Sequence, residues 1–334
     1  MKSIIVVGAG KLGKRWIDYI LKENDWEIKG IVEISDEIRN EMKQKYPKIP
    51  LYKNIEEVEE KVDGCLIVTP PENHIEIAKK AILKGINILC EKPLTLNYDE
   101  IEEILRIVEK NNVIFLVNQN QRSISQLKVM REFIKSGKIG KISYVSLYFS
   151  RFMRTYDWRE EISQPVLYDM SIHHFDDLRY VLQKELKKVK FCHSFNPSYS
   201  FYKGDASFSA VLEFEEDIII NYYATWIGNG KQTDWTGDWI IEGQNGSLHL
   251  IDGKVFYVKR EENWNLNVEY LFVPKEEFAD SLLWTLDKFK KAIEGKFDEE
   301  VLGITIKENV KSLKILQECD EFLKKGGNYG KIKN

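Results

Sequence analysis

Cysteine is scarce, with only Cys65, Cys90, Cys192 and Cys319 in 334 residues. They lie far apart and form no C-x-x-C pair, which excludes a disulfide framework and a paired-cysteine metal knuckle. Reduced thiols of a cytoplasmic protein are the expectation. Neither sign of charge is in excess: Lys+Arg number 49 against 53 Asp+Glu, a net charge of −4. So balanced a chain lacks the electrostatic footprint of a nucleic-acid or membrane-surface binder. No apolar run approaches the roughly 18 residues of a membrane span. The aliphatic start, Met1 to Val7, is broken by glycines and charges from Gly8 to Arg15 and does not read as a signal peptide. Internal repeats and low-complexity segments are also missing. What is present is ordinary globular composition, 43% apolar, at a length suited to two domains.

The most informative stretch is the first. Ile4-Ile5-Val6-Val7 is a short β-branched run, and Gly8-Ala9-Gly10-Lys11-Leu12-Gly13 follows at once. An amphipathic segment then runs from Lys14 to Glu23. The order is strand, glycine turn, helix, with spacing G-x-G-x-x-G. Gly8 suits the tight turn, Gly10 lets backbone approach a pyrophosphate, and Gly13 lets the helix sit close to the strand. The open N–H groups of residues 8–13 and the positive helix end would then face phosphates. An acid about 20 residues on completes this fingerprint. Glu33, ending the run Ile28 to Val32, fills that place. A carboxylate there accepts from both adenosine ribose hydroxyls and repels a 2′-phosphate, so NAD is expected over NADP.

Strand and helix signals then alternate. Asp36 to Lys45 and Asn54 to Lys61 read as charged helices, and Gly64 to Val68 as a strand buried on both faces. Thr69-Pro70-Pro71-Glu72-Asn73-His74 follows, where two prolines impose a rigid loop at a strand's carboxyl end, the edge at which open α/β sheets bind ligands. Ile75 to Lys84 is a helix stopped by Gly85, and the strand Asn87 to Cys90 leads into Glu91-Lys92-Pro93. A helix over Asp99 to Asn111 and a strand over Val113 to Val117 complete a doubly wound parallel sheet. Lys92, between a strand end and a proline, is an odd place for a solvated charge. A desolvated ammonium could polarise a C–O bond there. Pro93 is a candidate cis proline.

In order and spacing, Gly8-x-Gly10-x-x-Gly13, Thr69-Pro70-Pro71-x-x-His74, Cys90-Glu91-Lys92-Pro93-Leu94 and Asn120-Gln121-Arg122 resemble the oxidoreductase family of glucose–fructose oxidoreductase, inositol dehydrogenase and the rhizopine catabolism protein (Gfo/Idh/MocA). The likeness covers essentially the whole chain. It implies that Thr69, Pro70, Pro71, Asn73, His74, Glu91, Lys92 and Asn120 line the cofactor, and that Lys92 hydrogen-bonds the reacting hydroxyl. His74 is open to a second role, capping the following helix.

From Ser123 the periodicity changes. A helix over Leu127 to Ser136 precedes an aromatic-rich strand, Ile142 to Phe152. Further strand-like runs are 189–195, 207–214, 218–226, 239–242, 247–251, 255–259 and 268–273, several joined by short glycine or acidic turns. They suggest an open, mostly antiparallel sheet, followed by helices over Phe278 to Glu294 and Ile306 to Lys325. Residues 1–122 are thus read as an NAD-binding domain and 123–334 as an α+β substrate and oligomerisation domain. The resemblance implies a homodimer or homotetramer formed through the exposed sheet face.

Between the first strands of that half lie Tyr156-Asp157-Trp158-Arg159 and Tyr168-Asp169-Met170-Ser171-Ile172-His173-His174-Phe175-Asp176-Asp177-Leu178. If the second is helical, Asp169 and His173 share a face, and a carboxylate beside an imidazole raises its basicity. The family pattern D-x-G-x-H-x-x-D matches Asp169, His173 and Asp176. It assigns proton removal to His173 and its support to Asp169. His174 points about 100° away on a helix and is expected in the structure or at the pocket wall. Two departures stand out: Ser163-Gln164-Pro165-Val166 replaces a glycine run, and Ser171 replaces the motif glycine. Adjacent histidines diverge and no second ligand cluster is evident, so no metal is expected. Trp226, Trp235 and Trp239 could pack on sugar faces or serve as core anchors. Asp234 or Asp238 could bind hydroxyls, and Arg151, Arg154 and Lys203 would suit a carboxylate.

The sequence thus predicts an NAD-dependent dehydrogenase of a sugar, cyclitol or sugar acid, with Lys92, Asp169 and His173 at the reacting carbon. The alternatives are a glycosidase that recycles tightly held NAD and a non-catalytic NAD-binding regulator.

Overall fold

The fold is that of a computed structural model describing residues 1–156, 158–261, 265–275 and 280–325. By contacts the chain divides into two units, Met1–Asn120 with Phe278–Val310, and Gln121–Glu277 with Lys311–Asn334. A single cut after residue 122 is therefore too simple, because a late segment returns to the first unit.

The first unit runs β1 (Lys2–Val7), α1 (Lys11–Ile20), β2 (Trp26–Val32), α2 (Asp36–Lys45), β3 (Leu51–Tyr52), β4 (Gly64–Ile67), α3 (His74–Leu83), β5 (Asn87–Cys90), α4 (Ile101–Asn111) and β6 (Phe115–Val117). The strands form one parallel sheet in the order β3-β2-β1-β4-β5-β6. The order reverses between β1 and β4, so the glycine loop after β1 and the double-proline loop after β4 flank the switch point where such sheets bind ligands. Ile4 to Val6 and Cys65 to Ile67 are wholly buried, as strands covered on both faces must be.

Asn54 to Lys61 is not a helix; it holds one 3₁₀ turn, Ile55–Glu57. Only Ile55 and Val58 there are apolar and buried. The like charges Glu56 and Glu60 would face each other at i,i+4 on an α-helix, which opposes it.

The returning segment, α7 (Ser281–Ile293) and α8 (Glu299–Gly303), completes this unit's core. Phe289 stacks on Trp26 at 5.7 Å between centroids. A Cβ on Gly64 would meet the Phe289 ring at 2.6 Å, so β4 begins with the one residue that admits this helix. Beyond α8, the Val117 N–H donates to Ile304 O at 2.8 Å and covers the β6 edge. The helix expected from residue 278 begins at Ser281; residues 276–279 lie outside the described ones.

The second unit holds α5 (Ser125–Lys135), β7 (Ile142–Ser150), α6 (Ile172–Leu182), β8 (Leu186–Phe195), β9 (Ser207–Phe214), β10 (Ile218–Thr225), β11 (Asp238–Gly243), β12 (Gly246–Ile251), β13 (Lys254–Arg260) and β14 (Leu266–Tyr270). The last helix, α9, spans Ile306–Lys324. The eight strands are ordered β14-β13-β12-β11-β7-β10-β9-β8, and β7 with β10 is the parallel pair in an otherwise antiparallel sheet. All of α6 is buried. Phe175 and His174 on it pack on Tyr222 and Phe149 of the inner sheet face. The outer face carries an aromatic ladder, with Tyr148 stacked on Tyr223 and His249 on Phe256. Among the described residues no helix is long and apolar enough to cross a membrane.

Phe289→Ala removes a wholly buried ring from between Trp26 and Gly64. It is expected to lower the unfolding free energy by about 3–5 kcal/mol, read from urea denaturation. A change under about 1 kcal/mol would show that α7 is not integral to the first core.

Candidate active site

In the first unit Gly8 has φ +98°, and a Cβ on it would meet Val68 O at 2.8 Å. A Cβ on Gly13 would meet Gly8 O at 2.1 Å, so the helix touches the turn. Gly10 differs, since its Cβ would meet nothing within 4 Å. The loop is closed toward the protein and open outward at Gly10. No side chain caps α1 and its first turn carries no acid, so its positive end is left for an anion. These residues fit a dinucleotide pyrophosphate.

Glu33 is 8% exposed. One carboxylate oxygen accepts from Ala9 N at 2.8 Å and the other from Ser35 N at 2.9 Å, which fixes the acid against the glycine turn. Arg39 nearby donates to the carbonyls of Glu33 and Ile34 and pairs with Asp36.

Glu91 is 5% exposed and ties three elements together. Its Oε1 accepts from Trp16 Nε1 of α1 and from Asn118 Nδ2 after β6, each at 2.8 Å. Its Oε2 accepts from the Lys92 backbone N–H at 3.3 Å. Asn118 in turn accepts from Thr285 of α7 at 2.7 Å, and Asn120 donates to Ser281 at 2.5 Å. Glu91 therefore holds the Lys92 turn in register with the glycine helix. Lys92 is half-buried at the carboxyl end of β5, and the Lys92–Pro93 peptide is cis, as expected.

His74 is 1% exposed, with Nδ1 3.0 Å from Pro93 O and Nε2 2.8 Å from Thr69 O. Both ring nitrogens face carbonyls, so His74 locks the double-proline loop to the Lys92 turn rather than presenting a nitrogen to a ligand. Burial holds its pKa below the usual imidazole value, against its backbone partners.

In the second unit Leu167–Ser171 is a π-helical turn leading into α6, wider than the α-helix the spacing predicts. Such turns concentrate at functional sites. It carries Asp169, whose Oδ2 is 2.9 Å from Arg159 Nε. Arg159 was not anticipated as its partner, since nothing local links positions ten apart across a proline. His173 is 7% exposed at the start of α6. Ser171 is wholly buried, donates to Val166 O at 3.2 Å and lies 2.8 Å from the Tyr222 hydroxyl.

His174 is structural: it is wholly buried, with Nδ1 2.8 Å from Tyr222 Oη and Nε2 donating to Trp235 O at 2.9 Å. Burial pushes its pKa down to about 4. Asp176 is buried in a bidentate pair with Arg122, at 2.6 and 2.9 Å, and accepts from Ser312 at 2.6 Å. That motif aspartate fixes the helix. Among the described residues no group of three or more His, Cys, Asp or Glu could hold a metal.

The residues expected to bind hydroxyls or a carboxylate are mostly engaged elsewhere. Asp238 pairs with Lys231 at 3.0 Å, Arg154 lies 3.7 Å from Glu160, and Lys203 pairs with Glu161. Trp226 and Trp239 are buried core anchors, whereas Trp235 is 45% exposed. Asp157 lies outside the described residues.

Comparison with known proteins gives the family and the fold. Residues 2–119 match the model of an oxidoreductase family with an NAD-binding Rossmann fold, and residues 127–249 match the GFO/IDH/MocA C-terminal domain. The chain is 26% identical over 313 residues to myo-inositol 2-dehydrogenase of Thermotoga maritima, covering 89% of this chain and 90% of that protein. It is 21% identical over 193 residues to glucose-6-phosphate 3-dehydrogenase of Bacillus subtilis, covering 55% of each. An oxidoreductase from Agrobacterium radiobacter, solved in complex with NAD+, L-tartaric acid and magnesium, shares the fold with a TM-score of 0.84 over 97% of each chain at 14% identity.

Glu91→Ala strands the Trp16 and Asn118 donors in the interior, at about 1–3 kcal/mol per group. A lower unfolding midpoint together with weaker NAD binding is expected from thermal melts and titration; unchanged NAD affinity would contradict the positioning role. His174 predicts an acid dependence. Its folded pKa of about 4 lies below the ordinary 6.5, so the unfolded chain binds more protons between those values. Its contribution is complete above pH 6.5, is lost as pH falls through this window and levels off below about 4. His174→Gln should flatten this slope by up to one proton in denaturant titrations at stepped pH, and an unaltered slope would contradict the assignment.

Proposed function

We propose, for a chain that belongs to the Gfo/Idh/MocA oxidoreductase family, the NAD-dependent oxidation of a secondary hydroxyl of a sugar, cyclitol or sugar acid. The observation that supports it most is Lys92, held by the Glu91 network on the ligand-binding edge of the parallel sheet beside the glycine turn.

In this reading His173 removes the hydroxyl proton. Asp169 supports it as a carboxylate, and the Arg159 guanidinium at 2.9 Å favours that ionised form. The Lys92 ammonium donates to the same oxygen and stabilises the charge that develops as the proton leaves. Assigning Lys92 and His173 to one oxygen follows the order of the family motifs. When bound, NAD supplies the acceptor for the hydride of the adjacent carbon. Glu33, fixed by Ala9 and Ser35, retains lone pairs for the ribose hydroxyls and repels a 2′-phosphate, which favours NAD over NADP. The outer aromatic ladder of Tyr148, Tyr223, His249 and Phe256 would form the contact of a homodimer or homotetramer.

His173→Ala should lower turnover by about 10²–10⁴-fold in steady-state kinetics while NAD affinity stays near that of the wild type. Unchanged turnover would defeat the assignment. Glu33→Ala should weaken NAD and narrow the preference against NADP in paired titrations. Tighter NADP than NAD binding by the wild type would reverse the cofactor choice.

A further inference from the structure

Arg151 follows the end of β7 and lies over an aromatic ring. Its Cζ is 4.4 Å from the centroid of Trp235, and its NH1 donates to Thr233 O at 2.7 Å. The other cations nearby already have acids: Arg154 has Glu160, Arg159 has Asp169 and Lys203 has Glu161. Among the described residues no carboxylate pairs with Arg151. Arg151 is half-buried and stacked, and among the described residues its guanidinium has no hydrogen-bond acceptor besides Thr233 O.

The platform beneath it is rigid. The Trp235 carbonyl accepts from His174 Nε2 at 2.9 Å and from Gln121 Nε2 at 3.4 Å. Its ring packs at 6.1 Å from Trp226 and 6.5 Å from Phe149, both wholly or almost wholly buried. Even so, Trp235 remains 45% exposed, so part of its indole stays open for contact. His174, which anchors this loop, is the neighbour of the proposed base His173. The acids of the same loop have contacts of their own. Asp238 shares Lys231 with Asp252, at 3.0 and 2.7 Å, and Asp234 Oδ2 lies 3.0 Å from where a Cβ on Gly253, at the β12–β13 turn, would sit.

We infer that Arg151, stacked on Trp235, is the anion-recognition subsite of the substrate, and that the substrate is a carbohydrate bearing a carboxylate or a phosphate. The inference rests on the dehydrogenase reading for its chemistry and narrows it to anionic substrates. A guanidinium held by stacking presents its N–H fork with little further ordering and takes a carboxylate or phosphate in the same geometry. The exposed part of the indole face remains for the C–H surface of the ring.

The test uses the full chain with NAD and isothermal titration calorimetry. Its probes are D-gluconate and D-galacturonate as carboxylates, D-glucose 6-phosphate as a phosphate, and D-glucose and myo-inositol as neutral counterparts. At least one anionic probe should bind, and Arg151→Gln should raise its Kd by about tenfold or more without changing that of a neutral probe. Arg151→Lys, which keeps the charge and loses the fork, should fall between. A thermal melt of each variant checks folding, and Trp235→Phe gives a second, smaller loss at the same subsite. Binding of carboxylates alone or of the phosphate alone names the source within the inference. Anionic probes bound equally by the wild type and Arg151→Gln would overturn it, as would binding of neutral probes only or of none. NADH formation is recorded separately. An anionic probe held through Arg151 without NADH would count against the dehydrogenase reading and leave the subsite standing. Turnover of a neutral sugar untouched by Arg151→Gln would do the reverse.

Discussion

A single buried carboxylate sets the geometry of the first unit. Glu91 accepts from Trp16 on the glycine helix, from Asn118 at the end of the neighbouring strand and from the backbone of Lys92. A buried carboxylate is costly unless its lone pairs are taken, and here each donor comes from a different element. The acid can be satisfied only when α1, the β5 turn and the β6 end are all in place. His74 adds a second lock between the Thr69 and Pro93 carbonyls. The two ligand-facing loops and the glycine turn therefore hold their relative positions before any cofactor arrives, which is the preorganisation that binding and catalysis need.

The second unit uses the same device with charge pairs. Arg122 and Asp176 are both nearly inaccessible and meet through two hydrogen bonds, with Ser312 adding a third to the aspartate. Losing one partner of such a pair costs about 3–5 kcal/mol, because the other charge is left buried. That pair pins α6 just after the π turn, so Asp169 and His173 are presented from a helix start with little freedom to shift. His174 extends the same helix into the Trp235 loop. One short helix thus carries a proposed base, follows the turn that holds the proposed supporting acid, and anchors the Trp235 loop.

Much of this was legible in the sequence because it is written in local spacing. The glycine turn, Glu33, the cis Lys92–Pro93 turn and the order of strand and helix follow from residues close in the chain. The second sheet's antiparallel character followed from alternation and short turns. What escaped depends on distant partners. Nothing near Phe289 says that it stacks on Trp26, or that Gly64 is a glycine to admit it, so α7 reads in the sequence as part of the second half although it belongs to the first unit. Arg122 pairs with Asp176 across intervening elements and Arg159 with Asp169 across a proline, links that no periodicity encodes. The acidic stretch at residues 54–61 had helical composition, but like charges and too little apolar surface left a single turn. Asp238 and Lys203 have suitable chemistry for substrate but are paired with Lys231 and Glu161, which only the folded chain reveals.

The central claim is net hydride transfer to NAD with Lys92 at the reacting oxygen. The most direct measurement is absorbance at the NADH band, with purified protein, NAD and a panel of sugars, cyclitols and sugar acids, repeated with Lys92→Ala. A signal from a compound in the panel that disappears in the variant is the predicted result. Silence across the panel from a protein that binds NAD tightly, or a signal that survives the loss of Lys92, would contradict it.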